Sequence, residues 1–71
     1  MNRSGLKLSV NGEARSFEGV SDVASLVIQL GLDSRKVAVE KNLEIVPRSA
    51  YGATRLADGD RIEIVHFIGG G

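Results

Sequence analysis

The sequence predicts an α+β domain in which one main helix packs on one face of a mixed β-sheet of four to five strands. Three observations carry this prediction: an Asn-Gly hairpin signal near the start, a stripe of apolar residues at helical spacing, and an apolar strand before the final glycines. A chain of 71 residues is long enough for one small domain with a thin core.

The first part of the chain predicts a β-hairpin. Its first strand alternates apolar and polar residues, the apolar ones being Leu6, Leu8 and Val10. Asn11 and Gly12 follow, and both tolerate the positive φ of a type I′ turn. Residues 13–18 are then expected to return as a second strand, with Phe17 as its core anchor.

An amphipathic helix is predicted next. Its apolar residues recur at i, i+3, i+4 and i+7 and are Val23, Leu26, Val27 and Leu30. We expect Ser21 to cap the helix, Asp22 to place a negative charge near its amino terminus, and Gly31 to end it.

The second half predicts three further strands, at residues 36–40, 43–46 and 61–68. Pro47 marks a boundary, because proline cannot donate to a ladder. Residues 48–57 have no clear period and are expected to form a loop with a helical turn, in which Arg48 is a solvated charge. Asp58-Gly59-Asp60 is predicted to be a turn rather than a pair of functional carboxylates.

The last strand has two faces. If Ile62 and Ile64 point inward, Val65 and Phe67 point outward, because side chains alternate across a strand. These two residues would form an exposed apolar patch, which often marks an interaction site. Alternatively, the irregular segment around Tyr51 covers them.

The chain ends in Gly69, Gly70 and Gly71. Three glycines span at most about 10 Å when extended, are thin, and leave a terminal carboxylate without neighbouring side chains. We expect a domain over residues 1–68 and a flexible tail over 69–71. A frayed terminus would look the same in sequence, so the tail gains meaning only from the domain that carries it.

Composition excludes several function classes. Nine basic residues balance nine acidic ones, which argues against general electrostatic binding to nucleic acid or to anionic membranes. The chain has no cysteine, which excludes disulfides, thiolate metal sites and a cysteine nucleophile, and a reducing compartment is compatible. The lone histidine, His66, makes a poor metal site and is expected to be a strand residue at the sheet surface.

Several motifs together resemble the ThiS family, the sulfur-carrier proteins of thiamine biosynthesis, which have the ubiquitin-like β-grasp fold. They are Val37-Ala-Val-Glu40, Ile45-Val-Pro-Arg48, Asp58-Gly-Asp60 and Ile64-Val-His-Phe-Ile-Gly-Gly-Gly71. The resemblance covers the chain from Leu6 to Gly71. In the related sulfur carriers of molybdopterin synthesis, a proline pair usually precedes the terminal glycines. Phe67-Ile68 stands there in this chain, which favours the thiamine branch.

The resemblance implies a reaction cycle at Gly71. A ubiquitin-activating-type adenylyltransferase, which binds the ATP, adenylates the terminal carboxylate. A sulfur donor, such as a cysteine desulfurase or an equivalent, converts it to a thiocarboxylate that thiazole synthase consumes. Gly69 and Gly70 thread into a partner channel, and Val65, Phe67 and Ile68 contact the partner.

In this cycle the chain is a cytoplasmic protein cosubstrate and not an enzyme, with no bound cofactor or metal and no nucleic-acid or membrane partner. Three alternatives stay open. They are a sulfur carrier of molybdopterin synthesis, a ubiquitin-like protein modifier or interaction module, and a nucleotide- or RNA-associated β-grasp accessory domain. The neutral charge argues against the last.

Overall fold

The computed structural model describes residues 5–67, and in that part of the chain one α-helix lies on a five-stranded mixed sheet. The strands are β1 (Leu6–Val10), β2 (Glu13–Phe17), β3 (Val37–Lys41), β4 (Glu44–Val46) and β5 (Arg61–His66). The helix is α1 (Val23–Gln29), and two 3₁₀ segments cover Ser34–Lys36 and Arg48–Ala53. The predictions on Ile68, Gly69, Gly70 and Gly71, and the domain boundary at 68, lie outside the described residues.

The sheet has the strand order β2-β1-β5-β3-β4. Strands β1 and β2 pair antiparallel, as do β3 with β4 and β3 with β5, whereas β1 and β5 pair in parallel. The last strand in sequence is therefore the central strand of the sheet.

The hairpin forms as the Asn-Gly signal predicts. Asn11 has φ 50° and Gly12 has φ 85°, the left-handed values of a type I′ turn. Only Phe17 of strand β2 is buried, because β2 is an edge strand and the core lies under its far end. This edge position explains why the alternation of β2 is ragged in the sequence.

The helix buries the predicted stripe. Val23, Leu26 and Val27 are fully buried, and Leu30 packs partly buried against the same core. Gly31, with φ 75°, ends the helix as expected.

The predicted cap at Ser21 is wrong by one residue, because the cap is Asp22. The Asp22 carboxylate accepts a hydrogen bond from the Ser25 backbone N–H at 2.8 Å, and the Ser25 hydroxyl accepts one from the Asp22 N–H at 3.1 Å. This reciprocal capping box needs a polar side chain three residues after the cap, which Asp22 has in Ser25.

The second half also follows the pattern, with small shifts in the strand bounds. Strand β3 starts at Val37 rather than Lys36, and β4 starts at Glu44 rather than Leu43. Strand β5 ends at His66, so Phe67 lies outside the strand that was expected to include it. The expected helical turn is the 3₁₀ segment Arg48–Ala53, which begins directly after Pro47.

Two asparagines in turns fasten the central strand. The Asn11 side chain accepts from the Ile64 N–H at 2.8 Å and donates to the Ile64 carbonyl at 3.3 Å. The Asn42 side chain accepts from the Arg61 N–H at 2.9 Å and donates to the Asp60 carboxylate at 3.0 Å. Each amide thus extends a ladder of β5 beyond the end of the neighbouring strand.

We expect Leu26→Ala to lower the free energy of unfolding by about 2–5 kcal/mol, because it leaves a cavity under the sheet at a fully buried position. The matched control is Ile28→Ala on the same helix, where the side chain is 75% exposed and the change should stay within about 0.5 kcal/mol. Urea unfolding measures both. Equal losses for the two variants would contradict the helix orientation.

The Asp60 carboxylate is expected to make the free energy of unfolding depend on pH in the acid range. Partial burial raises the pKa of its carboxyl, but hydrogen bonds from the Asn42 amide and the Ala57 N–H outweigh burial and leave the pKa below its ordinary value. The pKa of Asp60 is therefore lower in the folded chain than in the unfolded one. Its ionised form stabilises the fold fully above the unfolded pKa of about 3.9, and this stabilisation is lost as the pH falls through the folded pKa.

We expect Asp60→Asn to be less stable than the parent chain at pH 7, because an amide cannot accept from both donors. The difference should shrink as the pH is lowered towards 2. Urea unfolding at several pH values checks this, with the exposed Glu44→Gln as the control. A difference that grows at low pH would contradict the assignment.

Candidate docking site on the last strand

Strand β5 shows the predicted alternation between its two faces. Ile62 is fully buried and Ile64 is half-buried, whereas Val65 is 61% exposed and Phe67 is 49% exposed. The exposed apolar patch beside the tail is therefore present. The binding role of Val65 and Phe67 stays a prediction.

The alternative, in which the segment around Tyr51 covers these residues, is wrong. Tyr51 is buried and its hydroxyl donates to the Val37 carbonyl at 3.3 Å, while Val65 stays open to solvent. The segment packs against α1 instead. The face of β5 opposite the helix is consequently free along the described chain.

Strand register enlarges the patch. Ala38 of β3 lies directly opposite Val65, and Ile45 of β4 lies opposite Glu40, one row further along the same face. Both Ala38 and Ile45 are exposed, Ile45 by 75%. We call Ala38, Ile45, Val65 and Phe67 the outer-face patch.

Two members of the outer-face patch were not predicted from the sequence, namely Ala38 and Ile45. Ala38 could have been found, since the buried Val37 and Val39 flank it in a strand whose side chains alternate. Ile45 could not, because its place on this face depends on the pairing of β3 with β4.

Two carboxylates lie within the same face. Glu40 of β3 and Glu63 of β5 are direct partners in the antiparallel register. Like charges opposite each other destabilise a strand pair. The outer face is therefore not optimised for the stability of the isolated domain.

The other polar residues singled out in the sequence have structural contacts or lie on the surface. Asp58 accepts from the Lys7 N–H at 2.8 Å, so the Asp-Gly-Asp turn closes onto β1. His66 is exposed. Within residues 5–67, no three His, Cys, Asp or Glu side chains group so as to hold a metal ion, and no described helix is long and apolar enough to cross a membrane.

Arg48 is exposed, as predicted for a solvated charge, but its side chain also makes backbone contacts that the sequence did not predict. Its Nε donates to the Ser34 carbonyl at 2.9 Å, and its Nη2 lies 3.5 Å from the Val37 carbonyl. Sequence alone gives no signal for these contacts, because both acceptors are backbone carbonyls more than ten residues away.

Comparison with known proteins decides the family. The sequence profile of the ThiS family matches residues 8–71. The chain belongs to the ThiS family. The sequence is 37% identical to the sulfur carrier protein ThiS of Bacillus subtilis over 65 residues, which cover 90% of this chain and 98% of that protein.

A solved structure agrees on the fold. The crystal structure of the thiamine biosynthesis protein ThiS from Geobacter metallireducens matches with a TM-score of 0.78 at 38% identity, covering 93% of this chain and all of that chain. The fold is the ubiquitin-like β-grasp, as the resemblance implied.

A longer relative is also similar. The chain is 58% identical to a thiazole synthase of Paramagnetospirillum magneticum over 66 residues, which cover 93% of this chain. The chain spans only 20% of the length of that protein.

Proposed function

We propose that this chain is a sulfur carrier in thiamine (thiazole) biosynthesis and that the carboxylate of Gly71 carries the sulfur. The observation that supports this most directly is the match to the ThiS family through residue 71, on a domain whose central strand leads into the three terminal glycines. The similarity to the Bacillus subtilis sulfur carrier over nearly its whole length supports the same role.

The chemistry needs an activated carboxylate. A carboxylate is a poor electrophile, so an activating enzyme joins it to AMP from ATP and releases pyrophosphate. The sulfur of the donor then attacks the acyl carbon, and AMP leaves with the oxygen of the broken bond. Hydrosulfide gives the thiocarboxylate of Gly71 and a proton directly. A persulfide gives an acyl disulfide, which a thiol must cleave to the thiocarboxylate while the thiol sulfur is oxidised to a disulfide. Thiazole synthase takes the sulfur from the thiocarboxylate. The chain is a cosubstrate in this scheme, because it supplies the acyl group and docking surfaces but no catalytic side chain.

The ATP belongs to the partner in this proposal. The sequence contains neither GxxxxGK[ST] nor GxGxxG, the glycine-rich patterns that cradle phosphates. The partners would be a ubiquitin-activating-type adenylyltransferase, a cysteine desulfurase or equivalent sulfur donor, and thiazole synthase. The need for ATP and reduced sulfur fits the cytoplasm.

We further propose that the outer-face patch docks on the activating enzyme while the tail threads into its active site. Val65 lies on β5 and Phe67 directly follows it, so a partner bound to them would hold the chain two residues before the tail begins at Gly69. Glycines at 69 and 70 suit a channel too narrow for a Cβ, and Ile68 would lie at its entrance.

Intact-mass spectrometry of the chain isolated from its host tests the carrier role. A mass gain that equals replacement of one oxygen by sulfur supports it. A ladder of larger protein conjugates without that gain would instead support a ubiquitin-like modifier.

We expect deletion of Gly71 to abolish adenylation, because the new carboxylate stops one residue, about 3.3–3.6 Å, short of the reacting position. Misplacement by about 1 Å already costs on the order of a hundredfold in rate. The assay is ATP–pyrophosphate exchange with the activating enzyme, and urea unfolding checks that the shortened chain still folds. Exchange at the parent rate would remove the terminal carboxylate from the mechanism.

We expect Phe67→Ala to raise the KM of the chain in the same assay and to change kcat less, because it removes an apolar contact but leaves the terminus in place. Ile28→Ala is the matched control, since Ile28 is also exposed and apolar but lies on α1. If the two variants behave alike, the outer-face patch does not bind the activating enzyme.

A further inference from the structure

One backbone hydrogen bond holds the end of the described chain beyond strand β5. The Phe67 N–H donates to the Lys36 carbonyl at 2.8 Å, which continues the β3–β5 ladder past the pair of Val37 and His66. Lys36 is the last residue of the 3₁₀ turn Ser34–Lys36. The geometry of that turn therefore sets the position of the carbonyl that receives Phe67.

Side chains from the segment Arg48–Ala53 hold the carbonyls on both sides of Lys36. Arg48 donates from Nε to the Ser34 carbonyl at 2.9 Å and from Nη2 to the Val37 carbonyl at 3.5 Å. Tyr51 donates its hydroxyl to the same Val37 carbonyl at 3.3 Å. The guanidinium thus spans the turn from its first residue to the residue that follows it.

The local sequence explains why these two side chains act together. Residues i and i+3 eclipse each other in a 3₁₀ helix, so Arg48 and Tyr51 project from one face of the segment. Pro47, at φ −61°, fixes the entry into it. An arginine suits the position because its planar fork donates in more than one direction, whereas a lysine offers one compact ammonium.

The amino end of the turn is held separately. The Asp33 carboxylate accepts from the Arg35 N–H at 2.9 Å and pairs with the Arg35 guanidinium at 3.1 Å. Hydrogen bonding to Arg35 lowers the pKa of Asp33 to about 2, so this cap stays charged near neutral pH. Within the described residues, the Arg35 side chain donates to Asp33 and not to the Ser34 or Val37 carbonyls. Arg35 therefore holds the amino end of the turn, whereas Arg48 holds its carbonyls.

We infer that Arg48 is a positioning residue for Phe67 of the outer-face patch, and so for docking on the activating enzyme. It holds the Ser34–Val37 backbone, and the Lys36 carbonyl within that backbone accepts from the Phe67 N–H. The inference rests on the proposed function for its kinetic consequence. Its structural half, the control of Phe67 by Arg48, stands on the hydrogen bonds alone.

The test uses Arg48→Met, which keeps an unbranched apolar stem but removes the guanidinium with its donors and charge. The matched control is Arg35→Met, which removes an exposed arginine from the same turn and leaves the backbone cap of Asp33 intact. Arg48→Lys separates geometry from charge. Tyr51→Phe removes only one hydroxyl donor and serves if the Arg48 variants fail to fold.

The first readout is amide hydrogen exchange by NMR on the free chain. We expect Arg48→Met to speed exchange at Phe67 at least about tenfold, because the acceptor of its N–H is no longer held, while Leu26 and Ile62 in the core keep their protection. Arg35→Met should leave Phe67 unchanged, and Tyr51→Phe should act in the same direction as Arg48→Met with a smaller effect. Unchanged exchange at Phe67 in Arg48→Met would overturn the inference.

The second readout is ATP–pyrophosphate exchange over a range of chain concentrations. We expect Arg48→Met and Arg48→Lys both to raise KM about fivefold or more and to change kcat less, because Phe67 is no longer held in the position in which the outer-face patch docks. Arg35→Met should leave both constants unchanged. A rise in KM for Arg48→Met that Arg48→Lys reverses would mean a direct ionic contact with the partner and would overturn positioning. If the parent chain itself supports no ATP–pyrophosphate exchange, the proposed function fails. Hydrogen exchange at the Phe67 amide then decides whether Arg48 holds Phe67.

Discussion

The structure depends on the central place of its last strand. Strand β5 pairs in parallel with β1 and antiparallel with β3, so both of its backbone edges are occupied. It can join only when the hairpin and the second half of the chain are both in position. Phe67, two residues before the first of the three glycines, therefore directly follows the strand that is paired on both edges. Under the proposed function, this pairing fixes the domain up to the point where the partner takes over the chain.

The parallel pairing of β5 with β1 is short, and side-chain hydrogen bonds extend it. Only Ser9 with Arg61 and Val10 with Ile62 are in register between β1 and β5. The Asn11 amide then pairs with both backbone groups of Ile64 and lengthens the contact. On the other side, the Asn42 side chain accepts from the Arg61 N–H, and the Asn42 backbone N–H donates to the Arg61 carbonyl at 2.8 Å. Asn11 and Asn42 thus adopt the left-handed backbone of their turns and also connect segments that are far apart in sequence.

Sequence predicted what depends on local patterns and missed what depends on distant pairing. Periodicity placed the hairpin, the helix stripe and the outward position of Val65 correctly. It could not supply the strand order, and without that order Ile45 had no reason to share a face with Val65. The hydrogen bonds of Arg48 were not predicted for a similar reason, because its acceptors are carbonyls that only the folded chain brings within reach.

The two faces of the sheet differ: one packs against the helix and holds the core, and the other carries exposed apolar residues. A sheet with a helix on one side can leave the other side open to solvent, and here the buried apolar residues lie in one cluster with the helix. The outer face can then keep exposed apolar residues and a pair of opposed carboxylates without disturbing the core. Because Ile62 and Val65 belong to the same strand, the element that anchors the core also presents an exposed apolar side chain on the outer face. Under the proposed function, a partner that binds this face receives the tail from a strand already fixed by the core.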